Sequence, residues 1–106
     1  MDTNEIIALC KRHTVFSWTS QANVNPIAVD RAEGIYFWDT DGKRYIDFNS
    51  QLMCVNAGHN HPKIVAAIKT QADKLCFTYP GTATEPRARL GQLLAQVVGS
   101  GLEKFF

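Results

Sequence analysis

The sequence has no excess of one charge. Over 106 residues, 11 Lys and Arg stand against 10 Asp and Glu, for a net charge of +1 and no basic run. A nucleic-acid binder needs a basic patch or stripe, so that class is excluded. Long apolar runs are missing too. None approaches the roughly 20 residues of a membrane-spanning helix. The first residues mix Asp2, Glu5, Lys11 and Arg12 with short apolar pairs, which leaves no signal-peptide core and no membrane span to expect. Cysteine is scarce, odd in number and widely spaced, at Cys10, Cys54 and Cys76. That excludes a disulfide framework or a cysteine zinc site and fits a reducing cytoplasm. Glycine-rich phosphate cradles are also absent. Gly99-Ser100-Gly101 closes a helix, whereas an anion site needs a loop that opens one. There are no repeats, low-complexity tracts or linkers. What remains is 45% hydrophobic and 20% charged, the composition of one small globular domain.

Several elements are legible. Asn4 to about Arg12 reads as a short helix capped from Asp2, Thr3 or Asn4, with Ile6, Ile7, Leu9 and Cys10 as its apolar side. An irregular stretch follows, and in it Trp18 either plugs a core or lines a pocket. Ile27 to Ala32 can form a strand. Ile35 to Asp39 and Lys43 to Phe48 are β-rich runs around Asp39-Thr40-Asp41-Gly42, where Asp-Gly supplies the positive φ of a tight hairpin. Alternation puts Tyr36 and Trp38 on one face and Ile35 and Phe37 on the other. Pro62 suits the first position of a helix whose one face carries Ile64, Val65, Ile68, Ala72 and Leu75. A further helix is capped by Thr84 or Glu85, carries the stripe Leu90, Leu93, Leu94, Val97 and Val98 as core packing, and stops at Gly99. Leu102 to Phe106 reads as the start of a strand, and an apolar ending of that kind suits a piece of a larger fold.

The chain is organised around Asp47 to Pro62, where the hairpin ends and a helix begins. Asn49, Ser50, Gln51, Cys54, Asn56, His59 and His61 surround the apolar Leu52, Met53 and Val55. Such residues in a loop between rigid elements either carry function or satisfy their own backbone. His59, His61 and Asp47 form a weak metal suggestion, because His61 directly precedes Pro62 and turn-making explains it equally well. Ser50 lacks the strand-to-helix elbow of a serine nucleophile. Lys11, Lys43, Lys63, Lys69, Lys74 and Lys104 fall on turns, helix starts or polar faces, not in the desolvated setting a Schiff-base lysine needs.

Several spaced motifs then agree in order. Gly34 to Asp47 is followed by Asn49-Ser50, by Gly58-His59-Asn60-His61-Pro62, by Glu85-Pro86-Arg87-Ala88-Arg89-Leu90 and by Leu102 to Phe106. From Trp18 to Phe106 the chain resembles the N-terminal region of class III (omega-type) aminotransferases, pyridoxal-phosphate-dependent enzymes of fold type I. The resemblance implies an α/β fold, here an α+β fragment: short helix, β-hairpin, two helices and the start of a strand of the large domain. Residues 1–78 would form an N-terminal segment and residues 79–106 the truncated start of the large pyridoxal phosphate-binding domain. The phosphate loop and the lysine that bonds the cofactor are not among these residues. The segment is therefore expected to hold no catalytic, cofactor-binding or metal-binding residue and to be inactive alone.

What the resemblance assigns here is substrate binding. Trp18 would sit over the cofactor end of the site, Leu52 and Met53 would form one pocket wall, and Tyr79 would reach into the neighbouring subunit's site of a homodimer. Many relatives carry a bulky aromatic where Met53 stands, and Met is slimmer and more flexible. The parent enzyme would move an amino group from a primary amine or omega-amino acid to a 2-oxo acid, with pyruvate favoured over 2-oxoglutarate. Relatives of this class also decarboxylate or isomerise. Two rivals come from other classes: a non-enzymatic dimerisation or docking module, and a small metal hydrolase using His59, His61 and Asp47.

Overall fold

The computed structural model describes residues 1–99 and 101–105. The chain divides into two units, Met1–Lys69 and Thr70–Phe106.

The first unit opens with helix α1 (Thr3–His13). Asp2 is extended and caps it, its carboxylate accepting the Glu5 N–H at 2.9 Å. Lys11, Arg12 and His13 occupy the last turn, where cations complement the helix dipole. The Thr3 hydroxyl bonds to Thr40 and Asp41, which ties the start of α1 to the hairpin turn. A short 3-10 turn, Gln21–Asn23, lies in the irregular stretch.

Three strands follow: β1 (Val29–Glu33), β2 (Tyr36–Asp39) and β3 (Arg44–Ile46). They make an antiparallel sheet in the order β1-β2-β3, with a bulge between Val29 and Arg31. The expected alternation is present. On one face the Arg31 guanidinium lies 3.8 Å from the Trp38 ring centroid, and that of Arg44 lies 4.6 Å from the Tyr36 centroid. On the other face Phe37 stacks on its cross-strand partner Tyr45, with centroids 4.9 Å apart and rings 7° from parallel. Such cross-strand aromatic pairs contribute about 0.5–1.5 kcal/mol beyond their burial. Every residue of β2 is half-buried, as a central strand requires.

The hairpin turn departs from the sequence expectation in one respect. Gly42 alone takes a positive φ, +82°, while Asp41 does not. The turn is instead shaped by Asp39, whose Oδ1 accepts the N–H groups of Asp41 and Lys43 and whose Oδ2 accepts the Tyr45 hydroxyl at 2.8 Å.

After β3 comes α2 (Ser50–Met53), a single left-handed turn. Helix α3 (Pro62–Lys74) starts on Pro62 as expected, and the boundary between the units falls inside it. In the first unit Ala28 is the buried hydrophobic residue, whereas Ile64 and Ile68 of α3 stay about half exposed.

The second unit holds a Pro-Gly turn and helix α4 (Glu85–Val98). Thr84 occupies the N-cap position without a side-chain cap bond, contrary to expectation. Glu85 does not cap either: it pairs with Arg89 and Lys74. Gly99, at φ +94°, ends the helix as its lack of a Cβ allows. The stripe assigned to core packing stands in the open at Leu90, Leu93, Val97 and Val98, with Leu94 half-buried. Residues 102–105 form no strand. A strand needs an edge to pair with, and these residues pair with none among those described. Ser100 of the expected stop and Phe106 of the expected strand lie outside the described residues.

Candidate functional site

Asp47 is the hinge of the organising loop. Its N–H donates to the Ile35 carbonyl at 2.9 Å, which fixes it at the end of the hairpin. Its carboxylate is then used twice. Oδ1 accepts the Gln51 N–H at 3.2 Å, and Oδ2 pairs with His59 Nε2 at 2.7 Å. The two side chains are 4% and 12% exposed, so the pair is shielded from water. Burial pushes the Asp47 carboxyl upward. Hydrogen bonds from the Gln51 N–H and from His59 outweigh that and hold it below the usual carboxylate range.

His59 is anchored in turn. Its N–H and C=O exchange two bonds with Gly34, at 2.8 and 3.0 Å, forming an isolated antiparallel bridge at the β1–β2 turn. Gly58 precedes it at φ +84°, and a Cβ there would stand 3.3 Å from the Gly34 carbonyl oxygen. Asn60, at φ 52°, donates its amide to the Ala32 carbonyl. Asp47 and the Gly58–Asn60 stretch thus clasp the sheet from both ends of the loop.

Between the two clasps, Ser50, Gln51, Leu52 and Met53 have φ of 56°, 47°, 60° and 63°. Left-handed helix costs about 1–2 kcal/mol per non-glycine residue, because Cβ crowds the following carbonyl. The turn is stitched together locally. Asn49 Oδ1 accepts the Leu52 N–H at 3.4 Å, the Asn49 carbonyl accepts that of Met53, and the Ser50 carbonyl accepts those of Cys54 and Val55. Strain of this kind persists only where the surroundings over-determine it, and it gathers at functional sites. Leu52 and Met53 stand side by side on this turn, 47% and 69% exposed.

Trp18 is strained as well, at φ 68°, and is 86% exposed. It plugs no core. Gln21 closes the base of its loop, accepting the Phe16 N–H and donating to the Phe16 and Thr19 carbonyls. Tyr79 belongs to the second unit. Its carbonyl accepts the Thr82 N–H and hydroxyl, and its exposed ring lies over Gly81, where a Cβ would collide with it.

The metal suggestion takes a different form in the structure. Asp47 and His59 bond to each other, and among the described residues no group of three or more His, Cys, Asp or Glu is placed to hold a metal ion. His61 stands apart from the pair, its Nδ1 buried without a partner. Among the described residues no helix is long and apolar enough to cross a membrane. Sequence reasoning missed Gln21 and Asn60, which fix the two loops. Their signal was slight: an amide side chain in a polar stretch has many uses.

Comparison with known proteins decides the family. The Aminotransferase class-III family matches residues 18–106. The chain belongs to the class III aminotransferases. Among curated relatives, the 5-aminovalerate aminotransferase of Pseudomonas aeruginosa is 35% identical over 96% of this chain and 24% of its own length. The 4-aminobutyrate aminotransferase of Escherichia coli is 39% identical over 76% of this chain and 19% of its own. Among solved structures, the taurine:2-oxoglutarate aminotransferase of Bifidobacterium kashiwanohense, in complex with pyridoxal phosphate and glutamate, is 44% identical over 92% of this chain and 22% of its own, with a TM-score of 0.85. The adenosylmethionine-8-amino-7-oxononanoate aminotransferase of Methanocaldococcus jannaschii is 30% identical over 97% of this chain and 24% of its own, with a TM-score of 0.89. The mixed helix and antiparallel sheet is that of fold type I, as expected from the sequence. The chain spans 12% to 24% of the length of its curated relatives.

Proposed function

We propose that the protein carrying these residues transfers an amino group from a primary amine or omega-amino acid to a 2-oxo acid, and that this stretch supplies one wall of its substrate pocket. One observation carries the reading. Of the four residues assigned to the substrate, Trp18, Leu52 and Met53 are all exposed and all held at positive φ. Apolar side chains held outward on strained, well-tied loops are what a ligand's hydrocarbon chain packs against. The donors in the relatives' names, taurine, 4-aminobutyrate and 5-aminovalerate, are primary amines whose carbon chains suit such a wall.

Pyridoxal phosphate, when bound, supplies the electron sink of amino transfer. We assign its anchoring to none of the residues of this stretch, whose Lys11, Lys43, Lys63, Lys69, Lys74 and Lys104 are all exposed. The work of this stretch is to bind and orient the donor. Tyr79, projecting from its turn over Gly81, is assigned to the neighbouring subunit's site in a homodimer. The resemblance favours pyruvate as acceptor, while the 44%-identical neighbour is named for 2-oxoglutarate. The acceptor is therefore assigned as a 2-oxo acid. The free thiols of Cys10, Cys54 and Cys76 suit a reducing compartment such as the cytoplasm.

The test uses the full protein with pyridoxal phosphate, 5-aminovalerate or taurine as donor, and pyruvate or 2-oxoglutarate as acceptor. Formation of alanine or glutamate is expected, together with a cofactor that borohydride fixes to the protein. A protein that retains no cofactor after reduction overturns the reading and favours the docking module, for which the open stripe of α4 is the supporting feature.

A further inference from the structure

The His59–Asp47 pair makes no hydrogen bond to Leu52 or Met53, yet it is bonded to the turn on which both stand. The path has three links. His59 is fixed to the sheet by its two backbone bonds to Gly34. His59 Nε2 holds Asp47 Oδ2 at 2.7 Å. Asp47 Oδ1 holds the Gln51 N–H, the second amide of the left-handed turn. A carboxylate shared between an imidazole and a backbone N–H cannot swing toward one without straining the other. Left-handed backbone at four successive non-glycine residues has no intrinsic preference to fall back on.

We infer that the His59–Asp47 pair is a positioning device that sets donor-amine specificity by holding the Ser50–Met53 turn left-handed, so that Leu52 and Met53 face the donor's carbon chain. The inference rests on the preceding reading for the pocket and on the three links alone for the clamp. His59 and Asp47 are positioning residues, since neither is placed against the donor. A wall that meets only the donor's chain alters binding of ground and transition states alike. Loss of the clamp therefore raises KM and leaves kcat nearly unchanged.

The experiment compares the wild-type holoenzyme with His59→Ala, His59→Gln and His59→Ala/Gln51→Gly. The first readout is amide hydrogen exchange over residues 50–55. The second is kcat and KM for two donors of different bulk, 5-aminovalerate and 1-phenylethylamine. His59→Ala is expected to speed exchange of this stretch by about tenfold or more. It should also change the ratio of kcat/KM between the two donors by about tenfold, through KM. His59→Gln, which can still present an N–H to Asp47, should keep most of both. Adding Gln51→Gly, which tolerates the left-handed φ, should restore part of the donor ratio.

Unchanged exchange in a folded His59→Ala enzyme overturns the clamp. Faster exchange with an unchanged donor ratio overturns its role in specificity. Where His59→Ala does not fold, Asp47→Asn carries the same two readouts, and unchanged values overturn the proposal likewise. A wild-type enzyme that transfers no amino group sinks the preceding reading and the specificity claim with it, while the exchange data still judge the clamp.

Discussion

Two turns in this chain are built on the same device and differ in reach. At the hairpin, Asp39 accepts two backbone N–H groups and the Tyr45 hydroxyl, all within six residues. In the loop that follows, Asp47 accepts the Gln51 N–H and pairs with His59, twelve residues away. The first turn places glycine where φ is positive. The second places Ser50, Gln51, Leu52 and Met53 there. A hairpin turn needs only to reverse the chain, so it uses the residue that does so at least cost. Under the proposed function the loop must present particular side chains in a particular direction. It keeps them in a disfavoured backbone and secures them from a distance.

The largest expected effect comes from the distant anchor. Gly58→Ala places a Cβ 3.3 Å from the Gly34 carbonyl oxygen, the same oxygen that accepts the His59 N–H, at φ +84°. The left-handed backbone alone costs about 1–2 kcal/mol with a Cβ, and the contact adds to it. Gly42→Ala at the hairpin has a similar φ, +82°, but open space around it. It should cost only the backbone share, about 1–2 kcal/mol. Urea unfolding of the full protein with each variant checks the order. Equal losses would mean that the contact with the Gly34 carbonyl is accommodated without cost.

The same contrast explains what was legible in the sequence. The hairpin could be read because its determinants are adjacent: alternating aromatics, and an Asp-Gly pair between them. Its finer detail, Asp39 rather than Asp41 shaping the turn, was not readable, since both are Asp at neighbouring positions. Helices α3 and α4 were readable from Pro62, Gly99 and their apolar spacing. The left-handed turn was not. Nothing in Ser-Gln-Leu-Met prefers positive φ, and the residues that impose it lie at Asp47, His59 and Gly34. His59 reads as a candidate metal ligand because a histidine twelve residues from a carboxylate leaves the same trace in sequence, whether it binds a metal or the carboxylate itself. The residues proposed to meet the substrate follow from the family resemblance, and the positive φ of Trp18, Leu52 and Met53 is visible only in the backbone.

Acid should distinguish the two aspartates. The Tyr45 hydroxyl foremost, helped by the Lys43 and Asp41 N–H groups, holds the Asp39 carboxyl below its ordinary range against the opposing effect of burial. Asp47 is lowered as well. A carboxyl with a depressed folded pKa binds fewer protons folded than unfolded. Its contribution is complete well above the unfolded pKa of about 3.9 and is lost as pH falls through the folded value. Stability is therefore expected to hold from about pH 7 to 5 and to decline below about pH 4. Asp39→Asn and Asp47→Asn should each flatten that decline. Asp47→Asn alone should also loosen residues 50–55 at neutral pH. Denaturant midpoints across the pH range, with exchange measured at pH 7, read both effects.

The smallest effect has the opposite sign and tests the comparison most directly. Gln51 sits at φ 47°. Glycine there removes about 1–2 kcal/mol of left-handed strain and restores about 0.5–1 kcal/mol of unfolded-chain entropy. Gln51→Gly should therefore raise stability by about 0.5–1 kcal/mol, read from the denaturant midpoint. No such gain is available at the hairpin, where the position that needs positive φ is already Gly42. A stabilised Gln51→Gly enzyme with an unchanged donor profile would show that the left-handed turn itself, and not the strain in it, directs the side chains. A destabilised one would mean that the turn is not left-handed at Gln51 in solution, and the likeness between the two aspartate-built turns would end at their hydrogen bonds.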